Sequence, residues 1–304
     1  MSERITIIGA GAWGSALGSL TQINGYKPTI WSRSCGENLT DVVRERTAII
    51  SAVSMSGVRA VIDRLQGALA PHQIIVTATK GLDAQTNCTP AKLWQTAFPH
   101  NPIVVLSGPN LSLEIQQGLP AATVIAADDA VAATKIQGIF SSPQFRVYTN
   151  DDPIGVEIAG TVKNVIAIAA GTCDGLNLGN NAKSALLTRG LAEIIRIGQY
   201  WGGKTETFYG LSGLGDLLAT CNSPLSRNYQ VGYGLAQGKT LSEVLATLQG
   251  TAEGINTTKV LSQVASKNQI YMPITVLVDR LLQGQITAPE AIVALMSRDR
   301  KSEY

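Results

Sequence analysis

The residues best suited to chemistry fall in three places along the chain. The first is GAGAWG at 9–14, where Gly9, Gly11 and Gly14 stand in G-x-G-x-x-G spacing directly after the run ITII at 5–8. Gly9 permits a tight turn off a strand, Gly11 lets the backbone approach a pyrophosphate, and Gly14 lets the next helix pack close to the sheet. A small-residue helical pattern continues from Trp13 to Leu20, and the helix N-terminus offers unpaired N–H groups to phosphate charge. A glycine-rich turn without a ligand would carry the same letters, but the strand before it and the helical pattern after it favour a dinucleotide. The second place is PTIWSR at 28–33, where a dinucleotide fold ends its second strand beside the adenosine ribose. NAD-selective sites tend to hold the 2′-hydroxyl there with Asp or Glu. This chain has Arg33 and no carboxylate, an arrangement that accommodates a 2′-phosphate, although an exposed arginine is ordinarily a solvated charge.

The third place lies in the second half. The stretch IGVEIAGTVKNVIAIAA at 154–170 is apolar nearly all round, yet it contains Glu157, Lys163 and Asn164. An unpaired ammonium is costly to bury, so such a lysine either snorkels to water or is held for chemistry. FYGLSGLGDLLATC at 208–221 is a glycine-rich turn with a single carboxylate, Asp216. PLSRNY at 224–229 sets Ser226, Arg227 and Asn228 together, which can fork onto a phosphate or simply start a polar helix. Glu253 follows in a TAEG turn.

The elements that must position these groups follow from composition and periodicity. At 304 residues, 45% hydrophobic and 15% charged, the chain exceeds the usual single-core size and predicts two domains. Strand-like runs at 5–8, 28–31, 47–53, 74–79, 103–106, 122–127 and 145–148 alternate with helical stretches, which predicts a parallel, doubly wound sheet. Ligands on such sheets bind outside the carboxyl ends of the strands, where Arg33, Lys80 and Gly108 fall. Residues 36–46 are polar and hold at most a short helix. Beyond 150–153 (NDDP) the strand signals vanish. Helices are predicted at 154–170 and 182–201, with two amphipathic ones within 274–296, and GTCDGLNLGNN at 171–181 reads as a loop. The expected fold is an α/β Rossmann-type dinucleotide-binding domain at 1–150, followed by an all-α helical substrate domain at 151–304.

A net charge of +2 makes no case for nucleic acid or a membrane surface. No targeting segment is expected before the first strand, and the apolar run at 162–171 is too short to span a bilayer and holds Lys163 and Asn164. Cys35, Cys88, Cys173 and Cys221, with His72 and His100, lack metal-ligand or paired spacing, so reduced thiols in a cytoplasmic protein without a metal are expected.

Together these motifs resemble the NAD(P)-dependent glycerol-3-phosphate dehydrogenases of the bacterial type. The resemblance is carried by GAGAWG at 9–14, WSR at 31–33, TKGL at 79–82 and SGPN at 107–110, then VKNVIAIAAG at 162–171, TRGLAEI at 188–194, TFYGLSGLGDLLATC at 207–221 and SRN at 226–228. It spans nearly the whole chain. It implies reversible reduction of dihydroxyacetone phosphate to sn-glycerol 3-phosphate with NADP or NAD, supplying the backbone for phospholipid synthesis. It also implies a small-molecule substrate, no membrane span, a cytoplasmic setting, and admits a homodimer. Carried over residue by residue, Gly9, Gly11, Ala12, Trp13, Gly14, Arg33, Lys80, Ser112, Arg227 and Glu253 match cofactor positions. Lys80, Gly108, Asn110, Lys163, Asp216, Ser226, Arg227 and Asn228 match substrate positions. Lys163 matches the catalytic lysine, with Asn164 and Asp216 beside it.

Two departures stand out. After SGP the family pattern has Ser or Thr, then Phe and Ala, where this chain has Asn110, Leu111 and Ser112. The segment between Arg33 and Thr47 is much shorter than the family's and lacks its Tyr-Leu-Pro region and the sheet's next strand. For the implied reaction, the carbonyl oxygen gains negative charge as hydride arrives and needs a proton donor. Lys163 can supply both charge and proton, Asp216 can tune it, and Arg227 with Asn228 can hold the phosphate that orients the carbon. A dehydrogenase of other hydroxy or oxo acids, or a cofactor-binding sensor on the same fold, are the competing expectations.

Overall fold

Seven short runs rich in Ile and Val pair into one sheet in the computed structural model, which describes residues 3–299 and residue 302. They are β1 (Ile5–Ile8), β2 (Thr29–Trp31), β3 (Ala48–Ser51), β4 (Ile74–Thr77), β5 (Ile103–Ser107), β6 (Ala121–Ala126) and β7 (Phe145–Asn150), in the order β2-β1-β3-β4-β5-β6-β7. Alternation along the central strands feeds two cores. Ile7, Ile50 and Val76 pack with Leu17, Ile136 and Phe140 on one face, while Ile8, Ile49 and Ile75 pack with Trp94, Val58 and Leu65 on the other. Burial on both faces is why these strands read as continuous apolar runs.

One pairing differs from expectation. β5 and β6 are antiparallel, with Leu106 opposite Ile125, whereas the other pairs are parallel. The link from β5 to β6, residues 108–120, holds only the five-residue helix Ser112–Gln116. β2 is the edge strand. From it the chain passes through Leu39–Val43, a single short helix, directly to β3 on the far side of β1, with no strand outside β2 among the described residues.

After β7 the structure is helical. The central helix, Pro153–Gly175, is started by Asp152, whose carboxylate accepts from Gly155 N (2.9 Å), Lys204 N (2.8 Å) and Thr207 Oγ1 (2.7 Å). By length and hydropathy it could cross a membrane, exceeding the expected 154–170, but 89% of its apolar window is buried inside the protein. It is the core around which the helices Gly179–Tyr200, Asp216–Cys221, Arg227–Ala236, Glu253–Lys267 and Pro273–Leu282 pack.

Two expected loops are helix instead. Residues 171–181 reduce to a three-residue link at 176–178. Gly171 serves packing: a Cβ there would lie 2.0 Å from the Tyr229 carbonyl oxygen, and one on Gly232 of the facing helix would lie 1.8 Å from that of Ile168. The glycine-rich turn before Asp216 is a π-helical turn, Leu211–Gly215, running into Asp216–Cys221. Single π-turns of this kind recur at functional sites.

Candidate active site

Lys163 lies midway along the central helix, 6% exposed. Its ammonium does not snorkel. Nζ donates to Asp216 Oδ1 and to Thr220 Oγ1, each at 2.5 Å. The other Asp216 oxygen, Oδ2, accepts from Lys80 Nζ at 2.5 Å, and the same Nζ reaches the Gly108 carbonyl at 3.3 Å. Two ammoniums thus share one buried carboxylate, leaving one positive charge in excess. Burial lowers the Lys163 pKa to about 8, with Asp216 opposing the shift and Lys80 adding to it. Burial pushes the Asp216 carboxyl upward, but the Lys163 and Lys80 cations override it and hold the group below the usual carboxylate range. The pair therefore stays ionised while Lys163 is brought near neutrality, where proton transfer in either direction is easiest.

Four elements deliver this trio. Lys80 comes from the loop after β4, where Thr79 Oγ1 donates to the Val53 carbonyl (2.8 Å) and Gly81 N donates to Thr161 Oγ1 (3.1 Å) on the central helix. Gly108 follows β5; a Cβ there would lie 2.9 Å from Thr123 Cα. Thr220, which composition alone did not single out, stands four residues after Asp216, the spacing that puts two side chains on one helix face. Thr161 was missed because a hydroxyl in an apolar helix carries no signal until its partner strand end is known.

The SRN motif meets the same helix one residue on. Asn228 Oδ1 accepts from Gly254 N (2.9 Å) at the start of the helix Glu253–Lys267. A Cβ on Gly254 would lie 2.7 Å from both Asn228 Oδ1 and the Asn164 carbonyl oxygen, so its absence lets three helices converge beside Lys163. Asn164 is buried and its side chain has no hydrogen-bond partner among the described residues. Ser226 caps the helix Arg227–Ala236, accepting from Tyr229 N (3.3 Å), which leaves its own proton free. Arg227 is exposed at the rim, braced on Gly250 and donating to the Thr251 carbonyl (3.4 Å).

The glycine run lies at the carboxyl end of β1. Gly9 has φ +118°, and a Cβ there would lie 2.6 Å from the Ala52 carbonyl oxygen; a Cβ on Gly14 would lie 1.8 Å from that of Gly9. Gly11 faces open space, and the helix Ala12–Ile23 has neither a side-chain cap nor an acidic residue in its first turn. Free N–H groups at an open, uncapped helix start fit a pyrophosphate. Trp13 donates its indole N–H to the Ala78 carbonyl (3.2 Å), tying that helix to the end of β4. Glu253 Oε1 accepts from Met55 N (3.2 Å), and burial raises its pKa, with the Met55 bond and Arg227 opposing. Arg33 is exposed after β2 and forms no bond among the described residues, standing apart from the trio. Ser112 opens the short helix after β5. Asn110 is turned towards the sheet, donating to the Ala122 carbonyl (3.1 Å) and accepting from Thr123 Oγ1 (2.8 Å), so its amide is held by β6 rather than offered to the trio.

Comparison with known proteins agrees along the whole chain. Residues 34–133 match the model of the NAD-dependent glycerol-3-phosphate dehydrogenase N-terminus, and residues 152–293 that of its C-terminus. A glycerol-3-phosphate dehydrogenase [NAD(P)+] from Nostoc sp. is 60% identical over 301 residues, covering 99% of this chain and 98% of that one. Another from Synechocystis sp. is 55% identical over 302 residues, covering 99% and 95%. The crystal structure of glycerol-3-phosphate dehydrogenase from Coxiella burnetii superposes with a TM-score of 0.93 at 33% identity, covering 98% of this chain and 99% of that one. The chain belongs to the NAD-dependent glycerol-3-phosphate dehydrogenase family.

Proposed function

We propose that the chain reduces dihydroxyacetone phosphate to sn-glycerol 3-phosphate, reversibly, with NADH or NADPH, and so supplies the glycerol phosphate backbone of phospholipids. The observation that carries this is the buried Lys80–Asp216–Lys163 trio with its excess positive charge. Bound at the Gly9, Gly11 and Gly14 turn, the cofactor supplies hydride. Lys163 faces the carbonyl oxygen, stabilises the charge that develops there and then donates its proton. Asp216 and Thr220 hold its ammonium in place, and Asp216 keeps it charged until transfer. Lys80 adds a second cation at the same oxyanion. Asn164, Ser226 and Asn228 donate to the substrate at the site floor, and Arg227 closes on the phosphate at the rim, the remote handle that orients the carbon. Gly108 and Asn110 shape the strand ends, Ser112, Trp13 and Glu253 line the cofactor side, and Arg33 lies at the adenosine end.

On this reading residues 1–150 bind the dinucleotide and residues 151–304 form the substrate domain. The protein acts in the cytoplasm, where reduced nicotinamide cofactor is supplied, and pairs as a homodimer; sedimentation at a monomer mass would remove the dimer. The decisive experiment follows NADPH and NADH oxidation with dihydroxyacetone phosphate and with simple oxo acids. Turnover of the triose phosphate is expected. Turnover of oxo acids alone, or cofactor binding with no turnover, would overturn the proposal.

A further inference from the structure

Lys80 can serve the trio only if its loop is held against both halves of the molecule. On the helical side the anchors are the Gly81–Thr161 bond, Leu82, which is fully buried in the helical core, and Asn256 Nδ2 donating to the Leu82 carbonyl at 2.8 Å. On the sheet side the loop meets an ion pair. Arg59, on the helix Met55–Leu65 that follows β3, donates Nε to Asp83 Oδ1 (2.8 Å) and Nη2 to Asp83 Oδ2 (2.5 Å). This is the planar fork that only arginine offers a carboxylate. Asp83 Oδ2 also accepts from Thr86 N (2.9 Å), Thr86 Oγ1 (2.8 Å) and Gln85 N (3.2 Å), so the loop folds around the same carboxylate. Arg59 holds the Asp83 carboxyl well below the usual range, against the effect of burial. Beside the pair, a cleft of about 630 Å³ opens between the halves, lined by Met55, Arg59, Asp83, Glu253 and Asn256. The Arg59–Asp83 fork thus fastens one wall of that opening and ties the loop to the helix Met55–Leu65.

We propose that Arg59 and Asp83 are positioning residues for the dehydrogenase reaction. They pin the far end of the loop, three residues from Lys80, so that the Lys80 ammonium stays on Asp216 while cofactor and substrate enter. This rests on the role given to Lys80 above. Without the fork, the far end of the loop loses its tie to the helix Met55–Leu65, and Lys80 is no longer held in one approach to the trio. Lys80 then leaves Asp216, and Lys163, faced by Asp216, Thr220, Cys221 and Lys80, loses the neighbouring cation that lowers its pKa.

The test is a cycle of Asp83→Ala, Lys80→Ala and the double variant, with Asp83→Asn and Arg59→Lys as milder substitutions should Asp83→Ala not fold. Turnover with dihydroxyacetone phosphate, its pH profile and cofactor affinity by fluorescence titration are measured on each. Asp83→Ala is expected to lower kcat about tenfold or more in the parent protein and by less than about twofold in the Lys80→Ala background, because groups acting through one residue are not additive. It should also move the alkaline limb of the profile to higher pH, as Lys80→Ala does, with cofactor affinity little changed. Arg59→Lys, keeping charge without the fork, should fall between parent and Asp83→Asn. Additive losses, or a lowered kcat with an unmoved limb, would show that the pair only stabilises the fold. A Lys80→Ala protein with normal turnover would instead remove Lys80 from the site, which is a failure of the proposed mechanism and not of the pair.

Discussion

In the proposed mechanism Lys163 is the side chain on which the chemistry turns, and its surroundings say how to test it. Methionine at this position keeps much of the length and suits an apolar helix, so Lys163→Met should fold with normal circular dichroism. It also leaves Asp216 with Lys80 as a remaining partner. Turnover should fall by roughly 10²-fold or more, the scale of a lost general acid. Lys163→Arg should not recover it, since a guanidinium does not release its proton near neutrality; near-normal kcat in either variant would remove Lys163 from the reaction. Arg33 poses a separate question at the other end of the sheet. It is exposed and forms no hydrogen bond or ion pair among the described residues. Arg33→Ala should raise the KM for NADPH more than that for NADH, and equal effects would show that it does not contact the 2′-phosphate.

Among elements, the central helix bears most of the demands. Gly171 brings it against the helix Arg227–Ala236, which carries the proposed substrate grip. Gly171→Ala would push a methyl group into the Tyr229 backbone, which has no rotamer to yield. A loss of roughly 1–3 kcal/mol in urea unfolding is expected, with a raised KM for dihydroxyacetone phosphate, because the displaced helix begins at Ser226. The same helix buries Glu157, whose Oε1 accepts from Ala91 N at 2.7 Å and whose pKa burial raises to about 7. Raised above its unfolded value near 4.5, this group binds more protons in the folded than in the unfolded chain. Its contribution is therefore complete below the unfolded pKa and is lost as pH rises through about 7. Glu157→Gln keeps an acceptor for Ala91 and removes the titration. It should flatten the dependence of Tm on pH across this window, an effect worth up to about 3 kcal/mol. An unchanged slope would mean that the carboxyl is not titrating there.

At the scale of the whole molecule, the site exists only where the halves meet. Lys80 reaches Asp216 from one side and Lys163 from the other, Glu253 bonds Met55, and Glu157 bonds Ala91. Proton release and uptake at Lys163 should therefore govern both reaction directions in opposite senses. Reduction needs the ammonium and should decline as pH rises through about 8, while oxidation needs the free amine and should rise through the same point. Initial rates in both directions across that range measure it. Limbs at unrelated pH values would assign the proton to another group.

Much of this was legible in the residues alone. Strands announce themselves where β-branched runs are buried on both faces, the glycine spacing at 9–14 has a backbone cause, and the order of VKN, GLGD and SRN names the family. These are local signals, and each is complete within a few residues of chain. Tertiary structure decided what depends on two distant segments meeting. The antiparallel run of β5 against β6 shows only in their pairing, with Leu106 opposite Ile125. The glycines at 171 and 175 stay helical because another helix presses on them, although the same letters read as a loop. Lys163 is a paired and desolvated ammonium, not a snorkelling one, because Asp216, fifty-three residues later, closes on it. Thr220 and the Arg59–Asp83 fork become visible only there. Local sequence carries conformational preference, but burial and charge pairing are properties of the completed core, and those set a side chain's chemistry.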